Sequence, residues 1–140
     1  MERWIIGHKI SEQTTTGNYD LIVGQTPSHT QGPPPHYHNE FHEVFLVTEG
    51  VMDFMVNGEN ITVKKGESVN LPPKALHTFS NNSDSPCSWV NIHSPKGFLR
   101  FFQDFGVPDS QGDAQLKSVA PEMIQKVIET AADYDMIIAV

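Results

Sequence analysis

Seven histidines are spread unevenly along this 140-residue chain, and His36, His38 and His42 fall together beside Glu40 and Glu43. In an extended strand, residues two apart share a face, so His36 and His38 can aim at the same side. Glu43 lies further along, where the next extended run has begun. His77 follows a Pro72-Pro73 turn, on what should be a neighbouring strand of the same sheet. Three imidazoles and a carboxylate that converge suit one divalent transition metal: Fe, Mn, Ni, Co, Cu or Zn. Four such ligands leave two positions free in an octahedral shell. Open positions let a metal act as a Lewis acid or hold substrate or dioxygen. A His-x-His pair alone is often mere surface decoration, so its meaning rests on the elements that carry it.

Short runs rich in Val, Ile, Phe and Thr dominate the first two thirds: 4–10, 19–23, 43–48, 52–57, 60–64, 68–71, 77–80 and 88–93. Turn residues separate them, among them Gly32-Pro33-Pro34-Pro35, Asn57-Gly58, Lys65-Gly66 and Pro72-Pro73. Asn57-Gly58 predicts a two-residue type I′ hairpin, which needs positive φ at both positions. Strands this short and this closely spaced mean a sandwich or barrel rather than a βαβ fold. Phe98, Phe101, Phe102 and Phe105 then recur at helical spacing over 97–105 and read as a core-facing stripe. Residues 108–118 read as a loop. Pro121 opens a second helix running to about Tyr134, with Met123, Val127, Ile128 and Ala131 as its apolar face. The segment 136–140 is either a short strand or packing.

Composition sets outer bounds. Hydrophobic residues make up 38% and charged residues 19%, as in ordinary globular domains. A net charge of −8 and the lack of any Lys/Arg run exclude a phosphate-binding surface, so no nucleic-acid partner is expected. No apolar stretch approaches the ~20 residues of a membrane span. Met1-Glu2-Arg3-Trp4 lacks a signal peptide's apolar run. The lone Cys87 cannot form an internal disulfide and reads as a packed small hydrophobe. A cytoplasmic location is therefore expected.

The residues around the histidines resemble the cupin superfamily. Its first motif, a Gly, His-x-His, a Glu and a closing Gly, reads here Gly32, His36, His38, Glu43 and Gly50. Its second, Gly, Pro, Gly, His and Asn, reads Gly66, Pro72, Lys74, His77 and Asn81. Gly32 stands closer to His36 than is usual, and Lys74 stands where a turn Gly is common. The resemblance implies a mainly β fold: a cupin, double-stranded β-helix (jelly-roll) barrel with C-terminal helices. Residues 1–140 would form a single domain, with a barrel core over about 19–95 and a helical segment over about 96–135. It implies metal ligands His36, His38, Glu43 and His77, with Glu43 also a candidate catalytic base. A further likeness, Pro95-x-Gly97-Phe98 followed by Phe101-Phe102, Gly106 and Pro108, is to bacterial single-domain cupins similar to quercetin 2,3-dioxygenase.

That resemblance implies a metal-dependent dioxygenase acting on a small aromatic or enolisable substrate. A non-catalytic cupin that captures a small ligand, or a sugar or keto-acid isomerase, stand as alternatives. Lys64 and Lys74 are the basic residues near the motifs, which weighs against phosphosugars. His42 should face away from Glu43's side, Glu40 should be solvated, and Asn81 should fix a loop. His93 and His29 are candidates for the barrel mouth. Tyr37, Phe41, Phe45, Met52, Phe54, Met55, Phe79 and Trp89 include the barrel filling. A homodimer is expected, because Trp4-Ile5-Ile6 looks too apolar for an open sheet edge.

Overall fold

Turn-separated apolar runs become strands, and the computed structural model, which describes residues 1–139, orders them as follows. In chain order the described residues form β1 (Glu2–Ile5), β2 (His8–Gln13), β3 (Asp20–Thr26), β4 (His36–Tyr37), β5 (His42–Glu49) and β6 (Val51–Val56). There follow β7 (Glu59–Lys64), β8 (Ser68–Leu71), β9 (His77–Ser80) and β10 (Cys87–Ser94). The remainder is α1 (Leu99–Phe105), β11 (Val107–Pro108), α2 (Ala114–Ser118), α3 (Pro121–Thr130), a 3₁₀ turn (Ala131–Tyr134) and β12 (Ile137–Ile138). One sheet has the order β11-β1-β2-β3-β10-β5-β8 and the other β12-β4-β9-β6-β7. All pairings are antiparallel. Two antiparallel sheets followed by C-terminal helices match the mainly β barrel that the resemblance implies.

Alternation decides what fills it. On β10, Cys87, Trp89, Asn91 and His93 point inward while Ser88, Val90 and Ile92 point out. Ile10, Ile22, Phe45, Val47, Met52, Phe54, Val63 and Leu71 complete the inner packing. Gly24 lies under Trp89: a Cβ there would come within 2.2 Å of the indole, so only glycine admits the ring. Cys87 is fully buried and its thiol is pushed up to about 11 by that burial, as befits a packed hydrophobe.

Four expectations are corrected. Residues 4–10 form a hairpin rather than one strand, turning at Ile6 and Gly7 with φ of 47° and 84°. A β-branched residue rarely takes that conformation; here the buried Ile6 side chain joins the core. The edge that Trp4-Ile5-Ile6 would have left open is covered, because β11 pairs with β1 and Ile5 is buried. Residues 108–118 contain β11's end and α2 instead of a loop. The second helix ends at Thr130, tightening into the 3₁₀ turn. Its buried face is Val127 and Ala131 with Met123 and Ile124 against the core, and Ile128 is exposed. The four phenylalanines before and on α1 are all buried, as their spacing predicts. Asn57 and Gly58 have φ of 50° and 85°, the type I′ geometry. Ile137 and Ile138 pair with β4, and Val140 lies outside the described residues.

Candidate metal centre

β4 is only two residues long, yet it is wedged between β9 and β12, and His36 lies directly opposite His77 in the register. Two glycine-type positions make that placement possible. At Gly32 a Cβ would sit 1.7 Å from the Phe79 carbonyl oxygen, so the chain entering β4 can pass β9 only as glycine. Lys74 has φ of 71°, the left-handed region that favours glycine, and its N–H donates to the His38 carbonyl (2.6 Å). The ring centroids of His36, His38 and His77 then lie 4.4–5.5 Å apart.

Each of these rings is locked from behind by a carbonyl. His36 Nδ1 donates to Pro34 (2.9 Å), His38 Nδ1 to Asp135 (2.6 Å) and His77 Nδ1 to Ala75 (2.8 Å). A carbonyl only accepts, so the proton sits on Nδ1 and each neutral ring turns an Nε2 lone pair inward. Burial, with repulsion from His77 and His38, lowers the His36 pKa to about 3 and keeps that ring neutral. Oriented imidazoles of this kind are the usual support of a metal ligand.

Glu43 faces them from β5. Its Oε2 lies 3.2 Å from His77 Nε2 and 3.4 Å from His38 Nε2, but makes no hydrogen bond. Asn91, which the sequence reading did not single out, donates to Oε1 (3.2 Å) and fixes the carboxylate. Burial opposes ionisation of Glu43, yet His93, His38 and His77 outweigh it and hold the carboxyl well below the usual range. Burial likewise works against a proton on His38, but Glu43 prevails and raises its pKa. Lone pairs and a carboxylate converging this closely repel one another unless a cation sits among them. The donor set therefore fits a divalent metal, and His36, His38 and His77 have ligand atoms within 4.8 Å of one another.

The centre opens on a cavity of about 60 Å³ walled by Phe45, Phe79, Trp89, Phe98 and Phe102. His93 lies in it, 1% exposed; His29 does not, being on the surface against Asp84 (2.7 Å). His8, from β2, also lines the cavity with its Nε2 unpartnered. Neither His8 nor Asn91 carries a motif; only inward alternation along β2 and β10 points to them. His42 and Glu40 are exposed, as expected. Asn81 is fully buried and ties a loop, its amide donating to the carbonyls of Thr26, Pro27 and Ser85.

Residues 24–93 match the family model described as Cupin domain. Among curated proteins, quercetin 2,3-dioxygenase of Bacillus subtilis (strain 168) is 25% identical over 103 residues, covering 72% of this chain and 30% of that protein. Gentisate 1,2 dioxygenase 1 of Aquipseudomonas alcaligenes is 36% identical over 58 residues, covering 41% of this chain and 17% of that protein. The chain thus spans under a third of the length of either relative. Of solved structures, a sugar phosphate isomerase from a cupin superfamily of Silicibacter pomeroyi superposes with TM-score 0.59 at 18% identity, covering 65% of this chain and 61% of that one. KdgF from Halomonas sp. gives TM-score 0.59 at 17% identity, covering 64% and 80%. At such identities these two structures speak for the fold alone.

Proposed function

This chain belongs to the cupin family, and from that premise we propose that it is a metal-dependent dioxygenase of quercetinase-like type acting on a small aromatic or enolisable substrate. One divalent transition metal is held by His36, His38, Glu43 and His77. The observation that carries this is the set of three Nδ1-to-carbonyl hydrogen bonds, which frees the Nε2 lone pairs of three clustered histidines, two of them within 3.4 Å of the buried Glu43 carboxylate. The metal, when bound, would supply Lewis acidity and a place for a substrate oxygen. Glu43, kept ionised and held at Oε1 by Asn91, offers Oε2 to take a proton from an enolisable or phenolic substrate. Phe45, Phe79, Trp89 and Phe98 keep water from that transfer and present aromatic faces to the substrate.

A cavity of about 60 Å³ favours substrates far smaller than the drug-sized molecules that fill pockets of roughly 300–1,000 Å³. A single ring suits it better than a flavonol. The same small volume favours the second reading, a binding module for a compact ligand without turnover. A phosphosugar isomerase is disfavoured, since neither Lys nor Arg is among the lining residues.

Elemental analysis after growth in metal-supplemented medium should give about one equivalent per chain, falling severely in His77→Ala with the barrel's circular dichroism retained. Oxygen-uptake screens of the Fe, Mn, Ni, Co and Cu forms should include gentisate and catechol beside flavonols. Glu43→Gln should keep part of the metal and lose turnover. No metal in the reconstituted protein ends the reading; metal with silence on every substrate leaves the binding module.

The reading also takes residues 1–140 as one domain, placed in the cytoplasm and paired as a homodimer. Among the described residues, no helix is long and apolar enough to cross a membrane. Support for pairing comes from the outer face of the larger sheet. There Leu21, Ile92 and Val44 form one apolar row, and Val23, Val90 and Leu46 the next. Light scattering should show a dimer that Val90→Lys splits; a monomeric parent protein would end that part.

A further inference from the structure

One row of the larger sheet carries three ionisable side chains in register: Asp20 on β3, His93 on β10 and Glu43 on β5. All three are buried. His93 is unusual among them because neither ring nitrogen has a hydrogen-bond partner. Buried imidazoles are nearly always paired, so this one calls for a partner from outside the chain.

The direction of that partner is legible. His93 Nε2 stands 3.0 Å from Glu43 Oε1, but the two do not meet in hydrogen-bond geometry. Side chains that converge on a common point beside them, rather than on each other, give that arrangement. Ligand atoms of His38, Glu43 and His93 lie within 4.8 Å of one another, as do those of His36, His38 and His77. The two triads share His38, and Glu43 Oε2 also lies 3.2 Å from His77 Nε2. Opposite His93 in the register stands Asp20, whose Oδ2 accepts from the Gly97 and Phe98 N–H groups while its Oδ1, like both His93 ring nitrogens, is buried without a partner.

We propose that His93 is a fifth protein donor of the metal centre. This rests on the metal reading above and sharpens it. Five protein donors leave one position of an octahedral shell, so the site selects a ligand that attaches through a single oxygen, such as a phenolate or a monodentate carboxylate.

The test uses the cobalt(II) form of the full chain and counts imidazole N–H protons, exchangeable and hyperfine-shifted, by proton NMR. The wild type should show four, and His93→Phe three, with cobalt still near one equivalent. Three in the wild type at one equivalent of cobalt would overturn the proposal and leave the four-ligand centre standing. A wild type that takes up no cobalt overturns the metal reading and this one with it. Should His93→Phe not fold, the wild-type count decides alone, and His93→Gln supplies the comparison.

Discussion

His8 shows how much one side chain can contribute unseen by motif. Its Nδ1 meets Thr26 Oγ1 at 2.9 Å, and the same hydroxyl oxygen accepts from Trp89 Nε1–H. Burial lowers its pKa to about 4, while the nearby Gln31 backbone offsets part of this without meeting hydrogen-bond geometry at Nε2. The unfolded chain, with an ordinary histidine near 6.5, takes up a proton that the folded chain refuses until about pH 4. Between those values the unfolded state binds more protons, so stability rises with pH across the window and is lost as pH falls through it. In metal-free protein, urea unfolding at pH 5 and pH 7 should differ by about 2 kcal/mol less in His8→Phe than in the wild type. Equal differences would refute this. His36 keeps a similar slope in both proteins, so the comparison isolates His8. The four motif residues were legible because ligand chemistry repeats at fixed spacing. His93 was legible as a cavity-lining candidate, but His8 and Asn91 were not, since alternation fixes a strand's faces only once its register is known.

The elements were legible where local chemistry alone decides them. Asn57-Gly58 fixes its hairpin, and the helical phenylalanine spacing fixes α1, because both signals act within a few residues. The β1–β2 turn was hidden because Ile6, a β-branched residue, occupies a left-handed position that tertiary burial enforces. α2 was hidden because five residues are too few for a periodic signal. Both irregular cupin positions now acquire meaning from packing. Gly32→Ala should destabilise by several kcal/mol, roughly the cost of severe overpacking, because the Phe79 backbone cannot yield as a side chain could. Lys74→Gly should instead stabilise by up to about 1 kcal/mol, removing left-handed strain while leaving metal content unchanged. Chemical denaturation of both variants checks the pair, and equal signs would contradict the backbone account.

At the scale of the whole molecule, the centre is closed by the chain's far end. Asp135 takes φ of 57°, gives its carbonyl to His38 and receives the Asn39 and Glu40 N–H groups on its carboxylate. Met136 enters the cavity, β12 pairs with β4, and the Ala139 N–H donates to the Pro35 carbonyl. Removing residues 135–140 should therefore lower metal affinity about 10–100-fold, as loss of a supporting hydrogen bond to a ligand does. The barrel's circular dichroism should persist, since the core strands lie elsewhere; unchanged affinity on metal titration would refute the role. No sequence pattern ties His38 to a residue 97 positions away. That separation also carries a clock. Ribosomes add about 5–20 residues per second, so His36, Glu43, His77 and His93 are all made seconds before the carbonyl that aims His38 exists. On the proposed metal reading, a nascent chain passes through an interval with its candidate ligands present but His38 unaimed, so tight loading would wait until translation has gone past Asp135.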